Sequence, residues 1–284
     1  MRVFILALDG LEYNLVIQWK LRSIMQKTYG KLHISPNYYH KDENVPYTPI
    51  IWASFITGIP PERHGIKSIF TYGKFLDKIR NMPVIRSIKG KRQIFWRLGL
   101  KPRVVNKKDL GKETLFERIT PSVAVDVPAY NEPSEVNLRL ANAIMKKGVK
   151  HYVNAVWKVY QNRKKRVFEK IHEDWKLLMA YFKISDLLGH VYIAKSPEHL
   201  RRVYLELDRL VYELKTKLSD DILFLIVSDH GMQPSDDGVT GTHSKHAFWS
   251  LNIDTNWRPK DITDFYPKII EWTKAETTEQ FQVK

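Results

Sequence analysis

Three short apolar runs along the chain are each followed closely by an aspartate. The runs and their aspartates are Val3–Leu8 with Asp9, residues 177–184 with Asp186, and residues 222–227 with Asp229. Each run is continuous and rich in β-branched or aromatic residues, which is typical of strands buried on both faces of a parallel sheet. In such sheets the ligand site lies at the carboxyl ends of the strands. The pattern therefore predicts that the three aspartates converge.

Segments with helical spacing of apolar residues lie between these runs. The predicted helices cover residues 11–26, 52–57, 134–172 with a break near Gly148, and 197–218. The last begins with Ser196 as N-cap and Pro197 at the first helical position, where both residue types are favoured. Together the elements predict an α/β fold with a mostly parallel central sheet and helices on both faces. We expect a single domain over residues 1–284.

The charge of the chain favours anionic partners. Lys and Arg number 46 against 31 Asp and Glu, a net charge of +15, which suits phosphorylated metabolites, nucleic acid or an acidic membrane surface. A solvated basic surface explains this charge equally well. Residues 71–110 are rich in Lys and Arg and carry interleaved aromatic residues. They predict a basic cap or insertion near the site entrance, with an ordinary basic surface segment as the alternative.

The chain contains no cysteine. Disulfides, cysteine-ligated zinc and a cysteine nucleophile are therefore excluded, and a reducing, cytoplasmic location is expected. No run approaches the roughly 20 apolar residues that span a bilayer, so no transmembrane segment is predicted. The sequence leaves the oligomeric state open.

Aspartates and histidines occur in compact sets after the predicted strands. Carboxylate oxygens and imidazole nitrogens are ligands for divalent metal ions. The six candidate ligands are Asp9, Asp186, His190, Asp229, His230 and His243. Each alone is commonly a helix cap or a surface pair, so the specific feature is their number and order. Six ligands are enough for two metal ions with three protein ligands each.

Thr48 is the candidate nucleophile. Pro49 favours an extended conformation at Thr48 and begins the following helix. Thr48 then lies at a helix N-terminus, which favours an anion. A metal ion bound to its oxygen would lower the pKa of the hydroxyl and create an alkoxide. The alternative is that Thr48 serves only as a helix N-cap.

Seven motifs in a fixed order connect these candidates to a known family. They are Leu-Asp-Gly at 8–10, Thr-Pro-Ile-Ile-Trp-Ala-Ser-Phe-Ile-Thr-Gly at 48–58, Pro-Glu-Arg-His-Gly-Ile at 61–66, Val-Asp-Val-Pro-Ala-Tyr at 125–130, Asp-x-x-Gly-His at 186–190, Ser-Asp-His-Gly-Met at 228–232 and Gly-Thr-His at 241–243. The pattern resembles the alkaline phosphatase superfamily, in its type I phosphodiesterase/nucleotide pyrophosphatase branch. The resemblance implies an alkaline-phosphatase-like three-layer sandwich.

The resemblance also implies two divalent ions, usually zinc, with manganese or another divalent ion as alternatives. The residues implied to hold the ion that activates the nucleophile are Asp9, Thr48, Asp229 and His230. Those implied to hold the other ion are Asp186, His190 and His243. Two such ions clamp the attacking and leaving oxygens of an in-line displacement. The implied reaction passes through a phospho-threonine intermediate.

The sequence departs from the family beside the nucleophile. Nucleotide pyrophosphatases carry an Asn there, where this chain has Ile50-Ile51-Trp52. Trp52 is a candidate substrate-binding residue that would form a pocket wall, with packing in the core as the alternative. His246, three residues after His243, is a rival metal ligand, but the Gly-Thr-His match favours His243.

The expected function is hydrolysis of phosphate esters by a phosphodiesterase or nucleotide pyrophosphatase, with a small anionic phosphate ester such as a nucleotide as substrate. One alternative is a phosphomonoesterase, phosphotransferase or phosphonate hydrolase of the same superfamily. A second alternative is a non-catalytic protein that binds an anionic nucleotide or nucleic acid.

Overall fold

A computed structural model of the chain describes residues 1–73 and 102–275. Its strands are β1 (Val3–Leu8), β2 (Thr28–His33), β3 (Phe70–Thr71), β4 (Arg103–Val104), β5 (Ser122–Val125), β6 (Leu177–Phe182), β7 (Leu223–Val227), β8 (Gly231–Pro234), β9 (Gly241–Ser244) and β10 (His246–Leu251). Its helices are α1 (Tyr13–Gln18), α2 (Arg22–Met25), α3 (Thr48–Thr57), α4 (Pro61–His64), α5 (Lys107–Leu110), α6 (Leu115–Arg118), α7 (Ser134–Lys170), α8 (Ile184–Tyr192), α9 (Pro197–Lys215) and α10 (Phe265–Lys274). Short 3-10 turns occupy Pro36–Tyr38 and Ile262–Asp264.

The central sheet has six strands in the order β2-β10-β7-β1-β6-β5. Strand β1 lies between β6 and β7 and runs parallel to both, and β5 runs parallel to β6. Strand β10 is antiparallel to β7 and to the edge strand β2. The mostly parallel sheet predicted from the apolar runs is therefore confirmed, with an antiparallel edge.

Apolar cores cover both faces of the sheet. In β1, Val3, Ile5 and Ala7 face a core that includes residues of α3 and α10. The other residues of β1, Phe4, Leu6 and Leu8, face a second core that includes residues of α7, α8 and α9. Because successive strand residues point to opposite faces, continuous apolar runs are what a sheet covered on both sides requires. The predicted three-layer α/β sandwich is confirmed.

The predicted helix over residues 11–26 is wrong as a single element. Two short helices, α1 and α2, stand there, separated by Lys20 at a φ of 53°. A left-handed residue cannot continue a right-handed helix. By contrast, the predicted break near Gly148 is confirmed, since Gly148 has a φ of 77° inside α7. Ser196 precedes α9 as predicted, but its side chain makes no capping hydrogen bond.

Two boundaries near the predicted site differ from expectation. Strand β6 ends at Phe182, and α8 begins at Ile184, so Asp186 lies in the first turn of a helix. Helix α3 begins at Thr48 itself instead of at Trp52. Most of the predicted basic cap over residues 71–110 lies outside the described residues, so the cap stays a prediction. Its described flanks pair as the antiparallel strands β3 and β4.

Candidate metal centre

Three neighbouring strands deliver the candidate ligands to one edge of the sheet. Asp9 directly follows β1, and its backbone N–H donates a 2.9 Å hydrogen bond to the carbonyl of Phe182 at the end of β6. Asp229 lies two residues after β7, and Asp186 lies in the first turn of the helix that follows β6. Since these strands are parallel neighbours, their carboxyl ends meet. The three aspartates converge as the apolar runs predicted.

The first group of candidate ligands surrounds the hydroxyl of Thr48. The Nε2 atom of His230 lies 3.3 Å from Asp9 Oδ1 and 3.3 Å from Asp229 Oδ2. The Thr48 Oγ1 atom lies 3.1 Å from the same Nε2 atom and 3.5 Å from Asp9 Oδ1. The hydroxyl therefore points to ligand atoms and does not cap the helix, which contradicts the N-cap alternative for Thr48.

The second group consists of Asp186, His190 and His243. The Oδ1 atom of Asp186 lies 3.3 Å from the Nε2 atom of His190 and 3.3 Å from that of His243. The two Nε2 atoms are 3.1 Å apart. The spacing from Asp186 to His190 is one turn of α8, which places both side chains on one face of that helix.

The two groups adjoin through a pair of stacked imidazoles. The rings of His230 and His243 lie 3.8 Å apart between centroids at an interplanar angle of 17°. His243 lies on β9, which pairs with β8 just after His230, with Met232 opposite His243. Ligand-type atoms of Asp186, His230 and His243 also lie within 4.8 Å of one another. The seven predicted residues therefore form one continuous cluster.

Backbone carbonyls fix the orientation of all three imidazoles. The Nδ1 atoms of His190 and His243 lie 2.7 Å from the carbonyls of Gly241 and Pro46, and that of His230 lies 3.0 Å from the carbonyl of Gly231. A carbonyl only accepts, so each Nδ1 carries a proton and donates it. In a neutral imidazole the lone pair is then on Nε2. Hydrogen bonds of this kind orient metal-ligating histidines.

Buried acceptor atoms face one another in the cluster. Among the described residues, Asp186 Oδ1 and Asp229 Oδ2 are buried without a hydrogen-bond partner. Each instead faces the Nε2 atom of an imidazole at 3.3 Å. Buried acceptors that face acceptors are unfavourable unless a cation or a proton lies between them. This donor set, carboxylate oxygens with imidazole nitrogens, fits divalent ions such as zinc or manganese.

The pKa values show how strongly the cluster attracts positive charge. Burial, together with the carboxylates of Asp229 and Asp186, holds the pKa of Asp9 well above its usual range. Burial also acts to raise the pKa of Asp186, but the imidazoles of His190 and His243 outweigh it and hold that pKa well below its usual range. In turn Asp186 outweighs burial and raises the pKa of His190 to about 9. A divalent ion would displace the protons held in this way.

Two residues that the sequence analysis missed hold Asp9 in place. The phenol of Tyr181 on β6 donates a hydrogen bond to Asp9 Oδ2. The hydroxyl of Ser185 donates a 2.6 Å hydrogen bond to the Asp9 carbonyl. Tyr181 belongs to an apolar strand, where the sequence pattern predicts only a buried core residue. The spacing of apolar residues therefore does not indicate its hydrogen bond to Asp9.

Two further candidates lie apart from the cluster. Trp52 is fully buried, and its ring packs edge-on against Phe55 and Tyr181 at centroid distances of 5.5 and 5.8 Å. This geometry fits core packing, and the role of Trp52 as a substrate-pocket wall stays a prediction. His246 packs against His33 on the edge strand at 5.4 Å. The structure therefore brings His243, and not its rival, into the cluster.

The fold and this cluster define an α/β protein with a candidate two-metal centre and a threonine hydroxyl at its edge. The chain belongs to the type I phosphodiesterase/nucleotide pyrophosphatase family, whose model matches residues 3–283. This confirms the resemblance carried by the seven motifs, and it places the chain in a family of phosphoric ester hydrolases. No curated protein sequence matches the chain.

Solved structures that match the chain include murine ectonucleotide pyrophosphatase/phosphodiesterase 5, at 15% identity and a TM-score of 0.46. An inactive variant of that murine protein in complex with AMP matches at 15% identity and a TM-score of 0.44. Phosphonoacetate hydrolase from Sinorhizobium meliloti 1021, in complex with phosphonoformate, matches at 16% identity and a TM-score of 0.46. Each match covers 84% of this chain and 59% of the solved chain.

Within residues 1–73 and 102–275, no helix combines the length and the apolar character that crossing a membrane requires.

Proposed function

We propose that this chain is a metal-dependent phosphodiesterase or nucleotide pyrophosphatase with Thr48 as its nucleophile. The observation that carries the proposal is the position of the Thr48 hydroxyl, 3.1 Å from His230 Nε2 and 3.5 Å from Asp9 Oδ1. Membership of a family of phosphoric ester hydrolases supports the reaction class. The family description supports nucleotides as the first substrates to test.

The proposed cofactors are two divalent ions, with zinc as the first choice and manganese as the alternative. The residues proposed to hold the ion nearest the nucleophile are Asp9, Thr48, Asp229 and His230. Those proposed to hold the other ion are Asp186, His190 and His243. When bound, such ions lower the pKa of a coordinated hydroxyl and neutralise negative charge that develops on phosphoryl oxygens.

In the proposed reaction, Thr48 Oγ1 forms a bond to phosphorus while the bond from phosphorus to the leaving oxygen breaks. The hydroxyl proton of Thr48 passes through water to the departing oxygen, so the leaving group departs as an alcohol or a phosphate. Water then attacks the phosphorus of phospho-threonine, which releases the second product and restores the Thr48 hydroxyl. The start of α3 places this hydroxyl at the positive end of a helix dipole, which favours an approaching anion.

A diester fits the cluster better than a monoester. Within residues 1–73 and 102–275, the hydrogen bonds and ion pairs of the seven candidate residues join them to one another, to the hydroxyls of Tyr181 and Ser185 and to backbone groups, without a lysine or arginine side chain. A monoester carries a second negative charge at phosphorus, which a fixed cation would clamp. A diester carries one charge and needs less compensation.

The test compares two chromogenic esters on the full chain. We expect bis-p-nitrophenyl phosphate to be hydrolysed faster than p-nitrophenyl phosphate, with activity lost in chelator and restored by zinc or manganese. Thr48→Ala should keep the fold and lose at least about two orders of magnitude in turnover, as expected for a covalent nucleophile. Thr48→Ser is the matched control, because it keeps a hydroxyl and should retain part of the activity.

Near-normal turnover of Thr48→Ala would refute the assigned nucleophile. A preference for the monoester would favour a phosphomonoesterase or phosphotransferase of the same superfamily. Tight binding of nucleic acid without metal-stimulated hydrolysis would favour the non-catalytic alternative. A cytoplasmic location, expected from the short apolar runs and the cysteine-free sequence, stays a prediction.

A further inference from the structure

Glu12 is a buried carboxylate three residues after Asp9 that belongs to neither candidate ligand group. Only 4% of the residue is exposed to solvent. Its two oxygens accept three hydrogen bonds from neighbouring donors. The donors are the N–H of Met232 at 3.1 Å, the hydroxyl of Ser244 at 2.6 Å and the N–H of Asn14 at 3.0 Å. A carboxylate that accepts several hydrogen bonds holds its donors strongly.

Two of these donors lie beside candidate metal ligands on the β8–β9 hairpin. Met232 is two residues after His230, and Ser244 directly follows His243. Both donate to the same oxygen, Oε2, of Glu12. One oxygen atom therefore joins both strands of the hairpin, close in sequence to the two stacked imidazoles of His230 and His243. The Asn14 contact is a helix N-cap and explains only the other oxygen.

The backbone of the hairpin is shaped to admit this carboxylate. Gly231 pairs with Ser244 across the hairpin. A Cβ atom at position 231 would overlap the Oε2 atom of Glu12 and approach Ser244 Oγ to 2.6 Å. Only glycine leaves room for such a close approach. The Glu-Gly-Ser contact is therefore a packed unit that ties the loop after β1 to the hairpin.

We propose that Glu12 is a positioning residue that fixes the β8–β9 hairpin and thereby the places of His230 and His243 relative to Asp9. The inference rests on the two-metal site of the proposed function. Glu12 touches no candidate ligand atom, so it acts through Met232 and Ser244. Residues that hydrogen-bond directly to metal ligands typically contribute a factor of about 10–100 in metal affinity. Glu12 acts one residue further from the ligands, so its contribution is expected at the lower end of that range.

The experiment measures zinc stoichiometry and affinity by calorimetric titration of the chelator-treated full chain. We expect Glu12→Ala to weaken zinc binding by about 10-fold, the lower end of the range for direct partners of metal ligands. Glu12→Gln keeps an acceptor oxygen and should lose less. Ser244→Ala removes one of the two hairpin contacts and should weaken zinc binding in the same direction without altering Glu12.

The matched control is Asp208→Asn. Asp208 is also a carboxylate that accepts a backbone N–H, from Ile24 at 3.0 Å, but it joins α9 to α2. A role of Glu12 in general stability alone would lower the melting temperature of the metal-free Glu12 and Asp208 variants alike and leave zinc affinity unchanged. That result would overturn the inference.

The other outcomes are also decisive. If Glu12→Ala does not fold, unchanged zinc affinity in Ser244→Ala and Glu12→Gln overturns the inference, and weakened affinity in both supports it. If the unsubstituted chain binds neither zinc nor manganese, the proposed metal site itself fails, and the inference fails with it. If the unsubstituted chain binds about two zinc ions and the Glu12 variants bind them with unchanged affinity, the inference about Glu12 fails while the proposed metal site stands.

Discussion

The phenol of Tyr181 donates a hydrogen bond to the carboxylate of Asp9, across two paired strands. Tyr181 is fully enclosed, with its ring 5.8 Å from that of Trp52 and 5.5 Å from the guanidinium of Arg163. The ring position is therefore fixed by packing, independently of the hydroxyl. Because Asp9 Oδ1 faces Thr48 and His230 while Oδ2 accepts from the phenol, this bond selects which oxygen faces the cluster.

We predict that Tyr181→Phe weakens zinc binding by about 10-fold or more, in the range found for residues that orient metal ligands. Turnover should fall as well, while the fold persists because the ring packing is retained. Zinc titration and kcat/KM with bis-p-nitrophenyl phosphate measure the two effects. Tyr160→Phe is the control, since that buried phenol donates to Glu206 between α7 and α9. Equal zinc affinities in the two variants would contradict the prediction.

His243 on β9 is the proposed metal ligand and His246 on β10 is its rival, and the two imidazoles have different neighbours. His243 Nε2 faces Asp186 Oδ1 at 3.3 Å, whereas His246 packs against His33. We predict that His243→Ala lowers zinc stoichiometry from two ions to one and lowers turnover by at least about 100-fold, because a metal ion is lost. His246→Ala should keep both ions. Metal analysis after dialysis checks this, and the reverse result would exchange the two assignments.

The positions of the three aspartates could be predicted because they depend on one simple rule. A strand buried on both faces is a continuous apolar run, so its end is visible in the sequence, and parallel neighbours end at the same edge. The helix boundaries were less predictable. Lys20 interrupts the predicted helix 11–26 through a left-handed backbone that nothing in the apolar spacing marks.

The contacts around the candidate ligands could not be predicted from patterns. Tyr181 looks like any aromatic residue of a buried strand, and Glu12 looks like a polar residue at the start of a surface helix. Their roles arise only when residues over 170 positions distant are brought together, as Tyr181 and Asp9 are at a separation of 172. Periodicity reports which face is buried, but it does not report which polar group a buried side chain meets.

Removing the metal ions should destabilise the fold. Asp9, Asp229 and Asp186 place three carboxylates in one buried cluster, where the proposed divalent ions would compensate their mutual repulsion. Two ions, each present at about 100 times its dissociation constant, contribute roughly 5 kcal/mol. We expect chelator to lower the melting temperature by on the order of 10 °C. Calorimetry with and without added zinc measures the shift, and an unchanged melting temperature would argue against bound ions.

His64 lies outside the cluster of candidate ligands, and it makes the stability of the fold depend on pH. The N–H of Ile66 donates to His64 Nδ1 at 3.0 Å, so Nε2 carries the proton and donates to Ser54 Oγ at 2.9 Å. The Ile66 contact requires the neutral imidazole, because only then does Nδ1 have a lone pair to accept with. Burial lowers the pKa of His64 to about 4, below the value near 6.5 of an unfolded chain.

The folded state therefore resists protonation that the unfolded state accepts. The stabilising contribution of His64 is complete above about pH 6.5 and decreases as the pH falls towards 4, by up to about 1.4 kcal/mol per pH unit. We predict that the stability difference between the unsubstituted chain and His64→Asn narrows over this interval. Urea unfolding at pH 7.0, 5.5 and 4.5 tests this, and a difference independent of pH would show that His64 does not titrate as described.

Gly10 and Gly65 form a natural pair for testing close packing at the cluster. Both have positive φ angles, 67° and 76°, so alanine is strained by about 1–2 kcal/mol at either position. A Cβ atom on Gly10 would also lie 2.8 Å from the Cα and Cβ atoms of Asp186, while one on Gly65 would meet nothing within 4 Å. Real side chains do not approach backbone so closely, so the start of α8 would have to move.

We predict that Gly65→Ala loses only the strain energy and binds zinc normally, whereas Gly10→Ala loses more stability and also binds zinc more weakly. The second effect follows because Asp186 and His190 both lie on α8, and displacing its first turn moves them away from His243. Urea unfolding and zinc titration of both variants provide the measurement. If the two variants lost equal stability and kept equal zinc affinity, the contact between Gly10 and Asp186 would have no part in holding the proposed ligands.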